Sequence, residues 1–171
     1  MLTSTTILDL AIRGIAMGVA GSALMDTWGL LLRRGFGVPT LDYALLGRWI
    51  GHMPRGRFAH RWIADAAPVR GERPLGYVAH YAIGVAFAVL LLLAAGPSWI
   101  QAPSIGAALA VGLGTIAAPW LVMQPAMGAG IAGSRTPRPW ATRVRNLATH
   151  GVYGLGLYGS AVAIAAVTGW Q

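Results

Sequence analysis

The chain has 171 residues, of which 56% are apolar and 11% charged, and its 13 basic residues, all arginine, bring the net charge to +8. A soluble domain carries about 25% charged residues, so this surface suits lipid better than water. The absence of cysteine excludes disulfides, iron–sulfur clusters and thiol catalysis.

The first apolar run, about 6–32, is long enough to cross a bilayer, which takes roughly 20 helical residues. No positive segment precedes it and it is too long for a signal-peptide core, so it reads as a span. Asp9 stands one turn before Arg13 and offsets it. Gly14 and Gly18 form a G-x-x-x-G contact motif. Gly18, Ser22 and Asp26 make a small polar stripe, suited to a narrow path or to receiving a neighbouring helix.

The link 33–74 holds Arg33, Arg34, Arg48, Arg55, Arg57, Arg61, Arg70 and Arg73. Within it Leu41, Leu45, Trp49 and Ile50 recur near helical spacing, as do Phe58, Trp62 and Ile63. The pattern predicts two short amphipathic helices in the headgroup layer, with basic side chains toward anionic lipid. Nucleic acid is a poor alternative, because no recognised binding module accompanies the charge.

The second span, about 75–95, carries His80 and Gly84. A short uncharged link follows. The third span, about 104–132, contains Pro119, Gln124 and Pro125, which predicts a kink or tilt. The link 133–146 holds Arg135, Arg138, Arg143 and Arg145, and its run SRTPRPW favours a stiff turn. The fourth span, about 147–170, carries His150, Gly154 and the small pair Gly156 and Ser160.

Twelve of the 13 arginines fall on one side, which the positive-inside rule makes cytoplasmic, with both termini periplasmic. Trp99 and Trp170 belong at the outer interface, and Trp49, Trp62 and Trp140 at the inner one. The expected fold is all-α: an integral membrane four-helix bundle with interfacial helices in the first cytoplasmic link. Met25 and Asp26 match Met123 and Gln124, and His80 with Gly84 matches His150 with Gly154. Two hairpins related as a parallel repeat account for this.

Asp26, Gln124, His80 and His150 lie near the cytoplasmic ends of their spans, three of them about 7–11 Å inside at 1.5 Å per residue. Polar groups in lipid are costly and usually face the bundle interior. Three readings of this layer stand open. One is a small transporter-like or permeation protein, oligomerising to build a path, with Asp26 as the proton or cation group and the two histidines as partners. Another is a redox protein with b-type haem between His80 and His150, or a divalent metal on Asp26, His80 and His150. The last is a scaffold whose arginine-rich face binds lipid or protein. No soluble-enzyme motif is present, and no cofactor is required.

The runs MDTWGLLLRRGFGVPTLDYALLGRWIGHMPRGRF, PVRGERPLGYVAHYAIG, QPAMGAGIAGSRTPRPW and THGVYGLGLY resemble the bacterial membrane proteins of domain-of-unknown-function family 2938. The resemblance extends from about Gly14 to Ala166. It implies a multi-span protein of the bacterial inner membrane and no particular activity.

Overall fold

In the computed structural model, which describes residues 4–168, the elements are helices and turns, with no strand among the described residues. Four helical stretches are long and apolar enough to cross a membrane: Ile7–Phe36, Glu72–Ala95, Ile105–Ala126 and Pro139–Val167. Much of their apolar surface is uncovered. Val78 is 67% exposed, Leu93 61% and Leu121 61%, an exposure that lipid tolerates and water penalises. The all-α four-helix bundle expected from the sequence is the fold observed.

Helix α1 (Ser4–Phe36) leads through a short turn to α2 (Tyr43–His52). Asp42 caps α2, accepting from the Ala44 amide at 2.9 Å, the usual satisfaction of a first-turn donor. Helix α3 (Glu72–Ala95) follows. The third crossing is composite: α4 (Ile105–Gly114), a π-helical turn at Pro119–Met123, and α5 (Gln124–Ala126). Pro119 cannot donate, and the ladder widens so that the Gln124 amide bonds the Pro119 carbonyl. Helix α6 (Pro139–Thr168) completes the bundle.

Helix α1 packs on both α3 and α6, and α6 packs on α4, while α3 and α4 make few contacts despite the short link that joins them. The order across the bundle is therefore α3, α1, α6, α4. Each crossing is set by small residues. A Cβ at Gly14 would meet Val89, and one at Gly18 would meet the Val85 backbone. One at Gly84 would overlap Ser22. Gly112 meets Gly154, and Gly156 meets Gly21. Close backbone approach of this kind drives association in lipid. The stripe Gly18–Ser22 thus receives α3. The Ser160 hydroxyl bonds Gly156 and Leu157 of its own helix, at 2.8 and 3.0 Å.

The end of the bundle away from the arginines holds an apolar core of Leu10, Met17, Leu91, Leu92, Ile100, Leu157 and neighbours. Trp99 joins it at 8% exposure and bonds Ser104 Oγ at 3.1 Å, so it is a core residue rather than a lipid-facing anchor. Trp170 lies outside the described residues.

On the arginine side three features depart from the sequence reading. The third crossing ends at Ala126, because Gly128 and Gly130 take positive φ and turn the chain. Helix α6 starts at Pro139, a residue suited to a first helical turn. And 57–62 forms no second amphipathic helix. Pro54 and the left-handed Gly56 end the preceding turn, and the chain continues as an irregular strap. The strap docks on the end of the third crossing, His60 N–H to Ala126 O at 2.8 Å and Ile63 N–H to Met127 O at 3.0 Å.

Candidate functional site

Helix α2 is pressed onto the start of α3. A Cβ at Gly47 would land on the Glu72 carbonyl, and one at Gly76 on the Tyr43 carbonyl. Arg48 fixes the same contact. Its guanidinium meets Glu72 at 2.8 and 2.9 Å and the carbonyls of Ile63, Ala64 and Ala66 at 3.4, 3.0 and 3.1 Å. Arg48 is thus an internal clasp and not a lipid-facing base, because a fork of N–H donors matches a carboxylate and clustered carbonyls. The neighbouring Glu72 carboxylate raises the Arg48 pKa.

This clasp delivers Tyr43 to Asp26. The Asp26 carboxylate accepts from the Tyr43 hydroxyl and, at 3.0 Å, from Tyr81. His80 Nε2 lies 3.3 Å from Asp26 Oδ1 and 3.1 Å from the Tyr43 oxygen. The Tyr43 proton already points at Asp26, so His80 Nε2 faces two acceptors and must carry a hydrogen. Burial, and then the adjacent Asp26, push the Tyr43 phenol far above its usual pKa, so it serves as a donor throughout the physiological range. Tyr43 stacks on His80 with centroids 4.6 Å apart and tilts against Tyr77 at 4.6 Å. The side chains of Asp26 and His80 keep 24% and 14% exposure, so the pair is sheltered but reachable.

The other pair of helices carries a second polar cluster. The Thr115 hydroxyl donates to Gly112 O at 2.6 Å and lies 2.8 Å from His150 Nδ1, which leaves that nitrogen as donor. With the Asn146 amide turned to satisfy its neighbours, its nitrogen donates to Thr142 O at 3.1 Å. Its oxygen accepts from Trp120 Nε1 at 3.0 Å and Gln124 Nε2 at 2.7 Å. The four sequence candidates therefore divide. Asp26 and His80 share one site, while His150 pairs with Thr115 and Gln124 with Asn146, both between the third crossing and α6.

Tyr43, Tyr81 and Asn146 are not site candidates on the sequence, and Arg48 is one only as a lipid-facing base. Two signals were available: Tyr81 directly follows His80, and Gly47 stands four residues after Tyr43. Arg33, Arg34, Arg55, Arg57, Arg61, Arg135 and Arg138 are exposed. Arg143 and Arg145 are half-buried, and Arg143 Nε donates to Ala132 O at 3.1 Å, holding that residue in its left-handed conformation.

For a metal, no three histidine, aspartate or glutamate side chains gather among the described residues. For haem, the His80 Nε2 is directed at Asp26 and Tyr43 rather than at a partner imidazole.

A family model described as "Protein of unknown function (DUF2938)" matches residues 15–164. No curated protein and no solved structure matches the chain.

Proposed function

The chain belongs to the DUF2938 family, and from that premise we propose a small transporter-like or permeation protein of the bacterial inner membrane. Its working group is Asp26, which exchanges a proton with His80 beside it. The observation that carries this reading is a membrane-helix carboxylate held by two tyrosine hydroxyls and facing a histidine N–H. A carboxylate at the centre of a membrane helix costs about 2.5–3.5 kcal/mol on insertion scales, an upper bound for Asp26 nearer the helix end. Hydrogen bonds to a charged group return about 1.5–3 kcal/mol each. The donors offset that cost, so a charge can be held here beside His80, the group with which it exchanges a proton.

Nine exposed arginines on the side of the long links support a cytoplasmic assignment for that face and contact with anionic headgroups, with the termini periplasmic. The packed apolar core closes the opposite end of one bundle. A solute path therefore needs a second copy, and the reading includes homo-oligomerisation. The exposed arginines favour one alternative, a scaffold that uses this face to bind lipid or protein without transport.

The test is proton movement into vesicles holding the purified protein under an imposed potential. The wild type moves protons, and Asp26→Asn loses this while unfolding at a similar temperature. Equal movement by the two proteins would remove Asp26 from the mechanism and leave the scaffold.

A further inference from the structure

A second pair of titratable side chains lies apart from Asp26, in the long link. His52 closes α2 and is 3% exposed. Its Nδ1 lies 2.8 Å from Nε2 of His60, and the rings stack at 5.0 Å and 29°. The other nitrogen of His52 meets the Ala67 carbonyl at 3.0 Å. A carbonyl only accepts, so His52 Nε2 carries the hydrogen and a neutral His52 presents a bare Nδ1. His60 Nε2 must then be the donor. That leaves His60 Nδ1 as a lone pair, fully covered and without a hydrogen-bond partner. Protonation of His60 puts a hydrogen on that covered Nδ1, where it buries a charge with no hydrogen-bond partner, and protonation of both rings sets two hydrogens against each other.

His60 belongs to the strap that docks on the end of the third crossing. Its own amide bonds Ala126 O, and Ile63 beyond it, 4% exposed, bonds Met127 O. The pair thus ties α2, in the first half of the chain, to the broken end of the third crossing.

We propose that the His52–His60 pair is a proton-sensitive latch that holds the strap 57–63 on the third crossing when neutral and releases it on acidification. The charged surroundings agree in sign. From the strap itself comes Arg57, from α2 His52, and from α3 Glu72, which His52 feels but which Arg48 already occupies. Residues 124–128 contribute no titratable side chain. Asp65, on the turn after the strap, is exposed. Burial first, then His52 and Arg57, hold the His60 pKa below its ordinary value, against a weaker opposing pull from the Ala126 carbonyl. A depressed histidine pKa contributes stability that is full above about pH 6.5 and lost as the pH falls toward the bound-state value. A released strap hydrates His60, which takes up a proton that the docked strap refuses. That proton shifts the equilibrium by up to about tenfold per pH unit within that window. The latch does not depend on the role given to Asp26.

The test is amide hydrogen exchange in the full-length protein in lipid nanodiscs, corrected for intrinsic rates, at about pH 7.5 and about pH 5.5. The His60 and Ile63 amides should lose about tenfold or more of their protection at the lower pH, while the Trp99 amide at the far end does not change. In His60→Gln the pH dependence disappears, because an amide can turn its nitrogen or its oxygen to His52. Flat protection in the wild type, or an equal loss in His60→Gln, overturns the latch. Should His60→Gln not fold, the cysteine-free chain offers a second readout. Maleimide labelling of Ile63→Cys, normalised to labelling of the exposed position in Ala59→Cys, must rise on acidification, and a constant ratio refutes the proposal.

Discussion

The helix pair α1 and α3 and the pair α4 and α6 cross in the same manner and end in different chemistry. Gly18 opposite Gly84 and Gly112 opposite Gly154 bring each pair into backbone contact. Toward the arginine side the first pair presents an ionisable carboxylate with tyrosine donors, and the second an amide network of Gln124, Asn146 and Trp120. The difference has a local cause. Among the described residues an α-helix stands in the first link and none in the second, and that helix, α2, delivers Tyr43. Gln124 also stands 12 residues after Gly112, against the 8 that separate Asp26 from Gly18, so it falls one turn beyond the corresponding level. Packing common to the two halves leaves the side chains below it free to differ.

The sharpest break of this comparison lies at the glycines. Gly18→Leu and Gly112→Leu should each cost about 3 kcal/mol or prevent assembly, measured by thermal unfolding in detergent. Gly106→Ala, which meets open space, should stay within about 0.5 kcal/mol. A large difference between the first two would show that the crossings are not equivalent.

Next comes the clasp that makes the first half distinct. Arg48→Gln takes the guanidinium from Glu72 and from the carbonyls of Ile63, Ala64 and Ala66, and should destabilise the link by about 1.5–3 kcal/mol. It should also slow proton exchange at Asp26, because Tyr43 is no longer held. Tyr43→Phe removes one donor to the carboxylate and should cost a similar or smaller amount by the same measurement. In the second half, Gln124→Leu should cost about 0.6–2 kcal/mol and leave proton exchange untouched. The smallest effect belongs to exposed charge. Arg33→Gln should leave stability within about 0.5 kcal/mol and weaken binding to anionic vesicles by about 1 kcal/mol.

Hydrophobic run length made the spans legible in the sequence, since lipid demands continuous apolar helix. Glycine spacing likewise pointed to the crossings at Gly18, Gly84 and Gly154. The periodicity near Leu45 and Trp49 marked α2. The same periodicity at Phe58 and Trp62 misled, because the carbonyls exposed where the third crossing breaks at Gly128 take the strap amides and hold that segment extended. Asp26 and His80 stood out as polar residues in apolar runs. Their meeting with Tyr43 did not, because a tyrosine at an interfacial position carries no special signal until the contact at Gly47 and Gly76 fixes where α2 lies. His52 and His60 lay hidden for a similar reason: their pairing depends on a turn at Gly56 that no spacing rule encodes.

The most direct measurement is an infrared difference titration of the protein in lipid, comparing wild type with Asp26→Asn and Asp9→Asn. Proton exchange at Asp26 predicts a protonated-carboxyl signal that grows on acidification, with one component that survives in Asp9→Asn and is missing in Asp26→Asn, the other acidic side chains supplying the rest. A titration in which no part of the carboxyl signal depends on Asp26 would mean that its charge is fixed by Tyr43, Tyr81 and His80, and would contradict proton exchange at this site.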